Sequence, residues 1–554
     1  MINNRTLFTV LASCLVVYLL GMFLIPLMDI DAAQYASISR EMLENKNYLQ
    51  VYDLGHDYLD KPPMLFWLSA LSMKVFGVHD WAYRIPSFLF ALLAVYATYR
   101  LALLFYHKTI AQLSALVLAT SQAMFLIMHD VRCDTMLMGW VAFSLWQLAA
   151  WYRYAKWKHL LLAFAAIAGG MMTKGPIALM VPVFAFAPHL LLRREWKQLF
   201  RWEYLVGLLV VAFLLVPMSI GLYRQYDLHP GKLINGIPIQ SGLRFYYWTQ
   251  SFGRYTGENY YHEMGHFTFL LENMLWSFLP WILLFLAGLL FEVKELVKKK
   301  FKLSEQEEWI CAGGFIVTYC ILARSQAQLP HYIFVVFPLA AIITAKFAYR
   351  LYYTDELTKW RKPVLMVHAV IFLLLWVSVV VLMKFPFPSL PWYVSVLAIL
   401  GLLRCGKLLF SKVITMEPFL RAALFTAVGV NFFLNSFFYP HLLQYQLGNR
   451  IADIIHEKKL DKSKMVQYNI DMSRALAFYA QHIIPFKEQQ ELKQNDVVIT
   501  RKESIPALQQ QFPAMQIIFE GEYYGVSMLS LPFLNPATRG KEVTKYAIVK
   551  LASQ

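Results

Sequence analysis

Long apolar runs separated by short polar connections dominate the chain up to about residue 440, and the pattern then changes to mixed polar sequence. Runs of a length to cross a bilayer, or close to it, fall at 7–28, 85–105, 110–128, 134–152, 159–173, 176–192, 204–222, 268–291, 309–323, 331–349, 364–383, 390–409 and 419–438, thirteen in all. About 20 apolar residues suffice to span the hydrocarbon as a helix. The connections sort by charge. With a cytoplasmic amino terminus, one set collects His107-Lys108, Arg153/Lys156/Lys158, Arg193-Arg194/Lys197/Arg201, the Lys294 to Lys302 run, Arg350/Lys359/Arg361-Lys362 and Arg404/Lys407/Lys412. This asymmetry is the positive-inside signature. The first run, Leu7 to Met28, has no small-residue cleavage site and reads as a retained anchor.

Two segments of the first outward loop depart from the spanning pattern. Met64 to Gly77 is apolar but only about fourteen residues long, and Ala32 to Asn45 is amphipathic. Both lengths predict helices lying in the interface, at about 32–45 and 64–77. Thirteen spans put the carboxyl terminus outside. There, Met465-Ile470, Asp496-Thr500, Gln516-Phe519, Ser527-Leu531 and Tyr546-Leu551 read as strands, and Gly448-Lys459, Ser473-His482 and Ile505-Gln511 as helices. The expected fold is an all-α polytopic membrane domain over 1–439, with a long outward loop at 223–267, followed by a small α/β periplasmic domain over 440–554.

Composition sharpens this picture. Of 554 residues 58% are hydrophobic and 16% charged, too little polar surface for a soluble chain of that size. The net charge of +16 is scattered over short loops and forms no single stripe, which argues against nucleic acid as a partner. The five cysteines, Cys14, Cys133, Cys311, Cys320 and Cys405, have neither a disulfide framework nor zinc spacing.

Candidate chemistry collects on the outward side. Asp29 and Asp31 follow the first run, where a carboxylate is costly unless it is hydrated or matched by charge; each is a candidate base, or a cap for the helix that follows. Lys61, beside Asp60, is held by Pro62-Pro63 directly before an apolar segment, as a phosphate site at the membrane surface requires; snorkelling is the alternative. Arg84, Arg132, Lys174, Arg254 and Arg324 are outward cations that run against the positive-inside tendency and that an anionic ligand would explain. Asp134 closes the Arg132-Cys133-Asp134 turn. The 223–267 loop holds GRYTGENYYHEMGH, whose Glu258, His262, Glu263 and His266 lack a ligand spacing, so no metal or other cofactor is expected.

The ordered motifs resemble a family. The acidic motif after the first run, the Lys-Pro-Pro turn, Arg84-Ile85-Pro86-Ser87, Arg132-Cys133-Asp134, Thr173-Lys174-Gly175-Pro176, the series Arg254-Tyr255, His262 and Pro280-Trp281, and Leu329-Pro330-His331-Tyr332 follow one another as in the bacterial aminoarabinose transferase and protein O-mannosyltransferase-related family. The resemblance covers roughly residues 1 to 345. It implies a C-type glycosyltransferase fold and transfer of a sugar from a polyprenyl-phosphate donor to an envelope acceptor, a lipid A-like glycolipid or a protein. Position by position, it makes Asp31 the carboxylate that acts on or orients the acceptor, and Asp134 a cavity carboxylate. Lys61 becomes the phosphate-binding lysine, with Asp60 where the family usually has glutamate; Arg254, His262 and Tyr332 become residues near the donor phosphate. His266 stands where the family has proline, and Gln34 and Gln328 where it often has arginine and lysine; the two lost cations imply a different sugar or a less anionic acceptor. A lipid or sugar flippase is the reading from another class; it predicts pseudo-symmetric halves and midplane charges, neither of which the sequence has.

Overall fold

The computed structural model describes residues 4–234, 236–258, 265–409 and 416–552. Helices dominate, because backbone in hydrocarbon has to satisfy its hydrogen bonds within its own segment. They run as α1 (Asn4–Leu24), α2 (Asp31–Glu44), α3 (Met64–Phe76), α4 (Asp80–Phe105), α5 (Lys108–Ala119), α6 (Gln122–Leu126), α7 (Cys133–Tyr154), α8 (Trp157–Lys174), α9 (Ile177–Leu192) and α10 (Glu203–Leu222). Then follow α11 (Phe269–Ser277), α12 (Ile282–Lys298), α13 (Ile310–Leu322), α14 (Phe337–Tyr353), α15 (Thr358–Lys384), α16 (Trp392–Leu409) and α17 (Met416–Phe433). Among the described residues, seven helical stretches are long and apolar enough to cross a membrane.

Two of the apolar runs are broken. The run at 110–128 divides between α5 and α6, where the Thr120 and Ser121 hydroxyls donate back to Leu116 O (2.5 Å) and Leu118 O (2.9 Å) and compete with the helical ladder. The run at 268–291 divides at Pro280 into α11 and α12. Close helix contacts rely on small residues, as expected where lipid and side chains are equally apolar. A Cβ added to Gly139 on α7 would lie 2.5 Å from the Phe90 carbonyl oxygen on α4.

Arg84 has a different role from the ligand-facing one its outward position suggests. Its side chain is fully buried and donates to Met22 O (2.7 Å), Ile25 O (2.7 Å), Pro26 O (3.0 Å) and His129 O (3.2 Å). The last carbonyls of a helix have no partner within the helix, and one guanidinium answers several of them at the end of α1.

The membrane-side helix runs past residue 440 as a continuous helical stretch to Tyr445, so the carboxyl-terminal unit starts with α18 (Leu447–Glu457). Its sheet has strand order β5-β6-β8-β7, from β5 (Met465–Tyr468), β6 (Val497–Arg501), β7 (Gln516–Tyr523) and β8 (Thr544–Lys550), after two small hairpins, β1/β2 (Tyr52–Asp53, His56–Asp57) and β3/β4 (Lys232–Ile234, Ile237–Ile239), earlier in the chain. β5 and β6 are parallel, while β8 is antiparallel to both its neighbours. α18 and α19 (Arg474–Ala480) pack on one face, and α20 (Ile505–Gln511) on the other. Ser527–Leu531, expected as a strand, is instead a turn leading into a short helix, Leu531–Leu534, capped by the Ser530 hydroxyl with Pro532 in its first turn.

This unit is fastened to the first loop. Asp29 accepts from the Ser473 hydroxyl and from Ala475 N (2.9 Å) at the start of α19, while its own N–H donates to Gln446 Oε1 (2.9 Å). The Tyr479 hydroxyl accepts from Leu27 N (2.8 Å). Asp29 therefore caps a helix of the other domain, and this engagement takes up the carboxylate that the sequence offered as a candidate base. Burial raises the pKa of Asp29, an effect that these hydrogen bonds only partly offset.

Replacing Arg84 with leucine should destabilise the protein by about 3 kcal/mol or more, since several carbonyls lose a charged donor. A melting curve in detergent unchanged from wild type would contradict the capping role.

Candidate active site

The polar residues of the site come from the ends of five elements. α7 carries Asp134 in its first turn, and α8 carries Lys174 in its last. Gly175, at φ 99°, makes the turn that side chains other than glycine's rarely adopt and releases the chain into α9. A 3-10 segment, Pro330–Val336, carries His331 and Tyr332, and the short helix Gly253–Thr256 carries Arg254. Lys61 sits in the loop before α3, held from below by Pro62-Pro63. That loop is braced at its hairpin, where the Glu41 carboxylate accepts from Leu54 N (2.6 Å) and Gly55 N (3.0 Å).

These elements enclose a cavity of about 140 Å³. Asp60, Lys61, Asp134, Lys174, Arg254 and Tyr332 form its polar wall, and Ile177, Met180, Phe184 and Ile321 belong to its apolar one. Lys61 Nζ donates to Asp60 Oδ2 (2.5 Å), and Gln250 Nε2 donates to Asp60 Oδ1 (2.8 Å). Lys174 pairs with Asp134 and lies 3.9 Å from the centre of the Tyr332 ring, whose hydroxyl accepts from Arg254 at 3.0 Å. Burial disfavours both charges of the Asp60–Lys61 pair, but the mutual attraction outweighs it: the Asp60 pKa is held below the ordinary 3.8 and that of Lys61 above its usual range. The Asp60 charge, and the stabilisation its pairing brings, is thus kept above pH 3.8 and lost only as pH falls through the lowered value.

Asp31 does not line this cavity. It stands beside it, in the first turn of α2, gripped by Arg132, which donates to Asp31 Oδ2 (2.5 Å) and to Asp130 Oδ2 (3.0 Å). His331 joins the two groups, with Nδ1 3.4 Å from Arg132 Nη1 and Nε2 3.5 Å from Asp134 Oδ2. Of the residues singled out in the sequence, Asp60, Lys61, Asp134, Lys174, Arg254 and Tyr332 meet in one cavity, and Asp31 and Arg132 adjoin it. Asp29 and Arg84 serve the architecture, and His262 lies outside the described residues. Gln250 and His331 carry the connections that sequence reasoning passed over. His331 was within reach, as part of the Leu-Pro-His-Tyr motif; Gln250 has no local signal, since only tertiary contact brings it to Asp60.

The two missing cations resolve differently. Gln328 is buried and donates to the Ala323 (2.9 Å) and Ser325 (3.2 Å) carbonyls, holding its own turn. Gln34 donates to Asp53 Oδ2 (2.7 Å), the same carboxylate oxygen that pairs with Arg474 of the carboxyl-terminal unit. A cation absent at position 34 in the sequence is present beside it in space.

This helical fold, with its carboxyl-terminal α/β unit, is the C-type glycosyltransferase fold. The family model described as dolichyl-phosphate-mannose-protein mannosyltransferase matches residues 60–220. An uncharacterized protein of Aquifex aeolicus is 28% identical over 492 residues, 85% of each chain. The undecaprenyl phosphate-alpha-4-amino-4-deoxy-L-arabinose arabinosyl transferase of Erwinia tasmaniensis is 29% identical over 333 residues, 59% of this chain and 56% of that protein. That of Pseudomonas fluorescens is 28% identical over 332 residues, 56% of this chain and 53% of the relative. The chain thus spans only about half the length of these two relatives. The crystal structure of ArnT from Cupriavidus metallidurans bound to undecaprenyl phosphate superposes over 100% of both chains with a TM-score of 0.74 at 18% identity, and the likeness is therefore one of fold. These findings bear out the resemblance read from the motifs.

The Asp134–Lys174 pair is nearly buried, so removing one partner leaves the other charged and alone. Lys174→Ala should cost about 3–5 kcal/mol, and the Lys174→Ala/Asp134→Ala double variant should recover part of that. A double-mutant cycle in thermal denaturation measures it; strictly additive losses would mean the two charges do not couple.

Proposed function

We propose that the protein transfers a sugar, a hexose or pentose, from a polyprenyl-phosphate carrier to an envelope acceptor at the periplasmic face, with a lipid A-like glycolipid favoured. The observation that carries this reading is the cavity itself: Lys61, Lys174 and Arg254 converge on one polar wall against an apolar one, which suits a lipid phosphate. The named relatives, undecaprenyl phosphate-alpha-4-amino-4-deoxy-L-arabinose arabinosyl transferases, support the donor.

In the proposed reaction an acceptor oxygen forms a bond to the anomeric carbon while the bond from that carbon to the carrier phosphate breaks. The leaving phosphate oxygen keeps both electrons, and Lys61 and Arg254 stabilise the charge it gains more in the transition state than in the ground state. Asp31, oriented by Arg132, takes the proton of a hydroxyl acceptor; an acceptor phosphate is already anionic and needs only orientation. Asp134, anchored by Lys174 and 3.5 Å from His331, is suited to hold sugar hydroxyls. The chemistry is assigned to these side chains, with no metal or other cofactor.

One observation favours a second acceptor. The family model that matches residues 60–220 is described by protein mannosylation, so a Ser or Thr hydroxyl of a secreted protein is the alternative. Intact-mass analysis of envelope lipids and secreted proteins from cells with and without the gene separates the two and identifies the sugar. With the purified protein and undecaprenyl-phosphate sugar, Lys61→Ala should lower kcat on the order of 10²–10³-fold, and Asp31→Asn should abolish transfer to a hydroxyl, both in protein that is still folded at the assay temperature. Wild-type turnover by Lys61→Ala would overturn the assignment.

A further inference from the structure

The segment between β7 and β8, residues 524–543, was read in part as a strand and became something else. It leaves the carboxyl-terminal sheet and reaches back to the membrane-side helices. Tyr524 N donates to Tyr445 O (2.9 Å), and Arg539 donates to the Pro386 carbonyl and to the Tyr445 hydroxyl (3.1 Å). The Arg539 guanidinium also lies 5.2 Å from the ring centre of Phe387 and 5.1 Å from that of Phe533. On this inner side Val526, Phe533 and Val543 are buried in the same apolar core as Phe387, Leu390, Phe438 and Leu442.

The other side of the segment is bare. Met528 is 83% exposed and Leu531 82%, with Leu529 also exposed. Side chains of this kind are seldom left in water beside one another on a domain that has its own closed core. Their position says what covers them. Pro386 and Phe387 belong to the 385–391 connection between α15 and α16, at the end of an apolar helix of 27 residues. Two residues flanking that anchor point, Phe385 (61%) and Trp392 (78%), are themselves exposed, as aromatic residues are at the boundary between lipid tails and headgroups. Arg539 ties the 524–543 segment to this rim.

We infer that the tip of this segment, Met528, Leu529 and Leu531, enters the lipid interface of the leaflet on the side of the active site. The carboxyl-terminal unit is then held at three places: by Asp29 and Asp53 to the first loop, by Arg539 to the 385–391 connection, and by these side chains to the bilayer. Its occupant is a lipid surface, and the contact needs no specific headgroup, since apolar burial drives it. The inference does not depend on which sugar or acceptor the site takes.

The test uses the full-length protein in lipid nanodiscs, with the exposed Cys320 replaced by serine and a single nitroxide-labelled cysteine introduced at 528, 531 or, as a solvent reference, 510. Met528→Cys and Leu531→Cys remove exposed side chains only, and Gln510 is exposed on α20. Molecular oxygen concentrates in lipid and a water-soluble nickel chelate does not. At 528 and 531 the ratio of oxygen to nickel accessibility should exceed that at 510 several-fold, and should collapse to the reference value when the nanodisc is exchanged for an amphipol without lipid. Ratios at 528 and 531 equal to that at 510 in nanodiscs would overturn the inference. So would labels shielded from both reagents, which would mean that a second copy or another protein covers the tip.

Discussion

A lysine ammonium can stand in a largely apolar cavity at the edge of a membrane only if it is paired before any ligand arrives. Lys61 with Asp60 and Lys174 with Asp134 meet that condition, and the rest of the site is arranged around them. A buried ammonium without its carboxylate would lose its proton or draw in water, and the cavity would no longer present a fixed positive wall. Pairing also sets a direction. Each lysine keeps donors to spare beyond the one its carboxylate occupies, since an ammonium has three, and Arg254, which donates to the Tyr332 hydroxyl, has others. The wall is anchored yet retains donors for an anion.

The scaffold extends this logic outward. Arg84 ends α1 by collecting its last carbonyls, so the chain can turn sharply and deliver Asp29 and Asp31 only two residues apart to separate partners. Asp29 goes to the carboxyl-terminal unit and Asp31 to Arg132 beside the cavity. Neighbours in sequence thus serve two layers of the molecule: one holds the carboxyl-terminal unit down, the other joins Arg132 beside the cavity. Arg474 reaches back from that domain to Asp53 beside Gln34, so the carboxyl-terminal unit contributes a charge to the first loop.

Legibility differed by the range of the interaction. Lys61 was readable because its restraint is local, two prolines and an apolar helix. Asp134 and Lys174 were readable from turns whose residue order is a motif. Arg84 was misread because an outward cation at a helix start looks the same whether it faces a ligand or the carbonyls of another helix. The Gln34 position misled for a related reason: the sequence records the loss of a cation there, while Arg474, 440 positions further on, is invisible until the chain folds. Ser527–Leu531 read as a strand because a short run of apolar residues between small ones fits either a sheet or an exposed turn.

The sequence by itself determined that the chain is a polytopic helical membrane protein with a small α/β unit after it, because span length and backbone satisfaction in hydrocarbon are properties of each segment alone. It also marked most of the cations and carboxylates that line the cavity or adjoin it. Only the tertiary structure decided which of these charges meet in the cavity and which cap helices or join domains. A charge in a low-dielectric setting takes its role from whichever partner lies within a few ångströms, and those partners are brought together by packing across the whole chain.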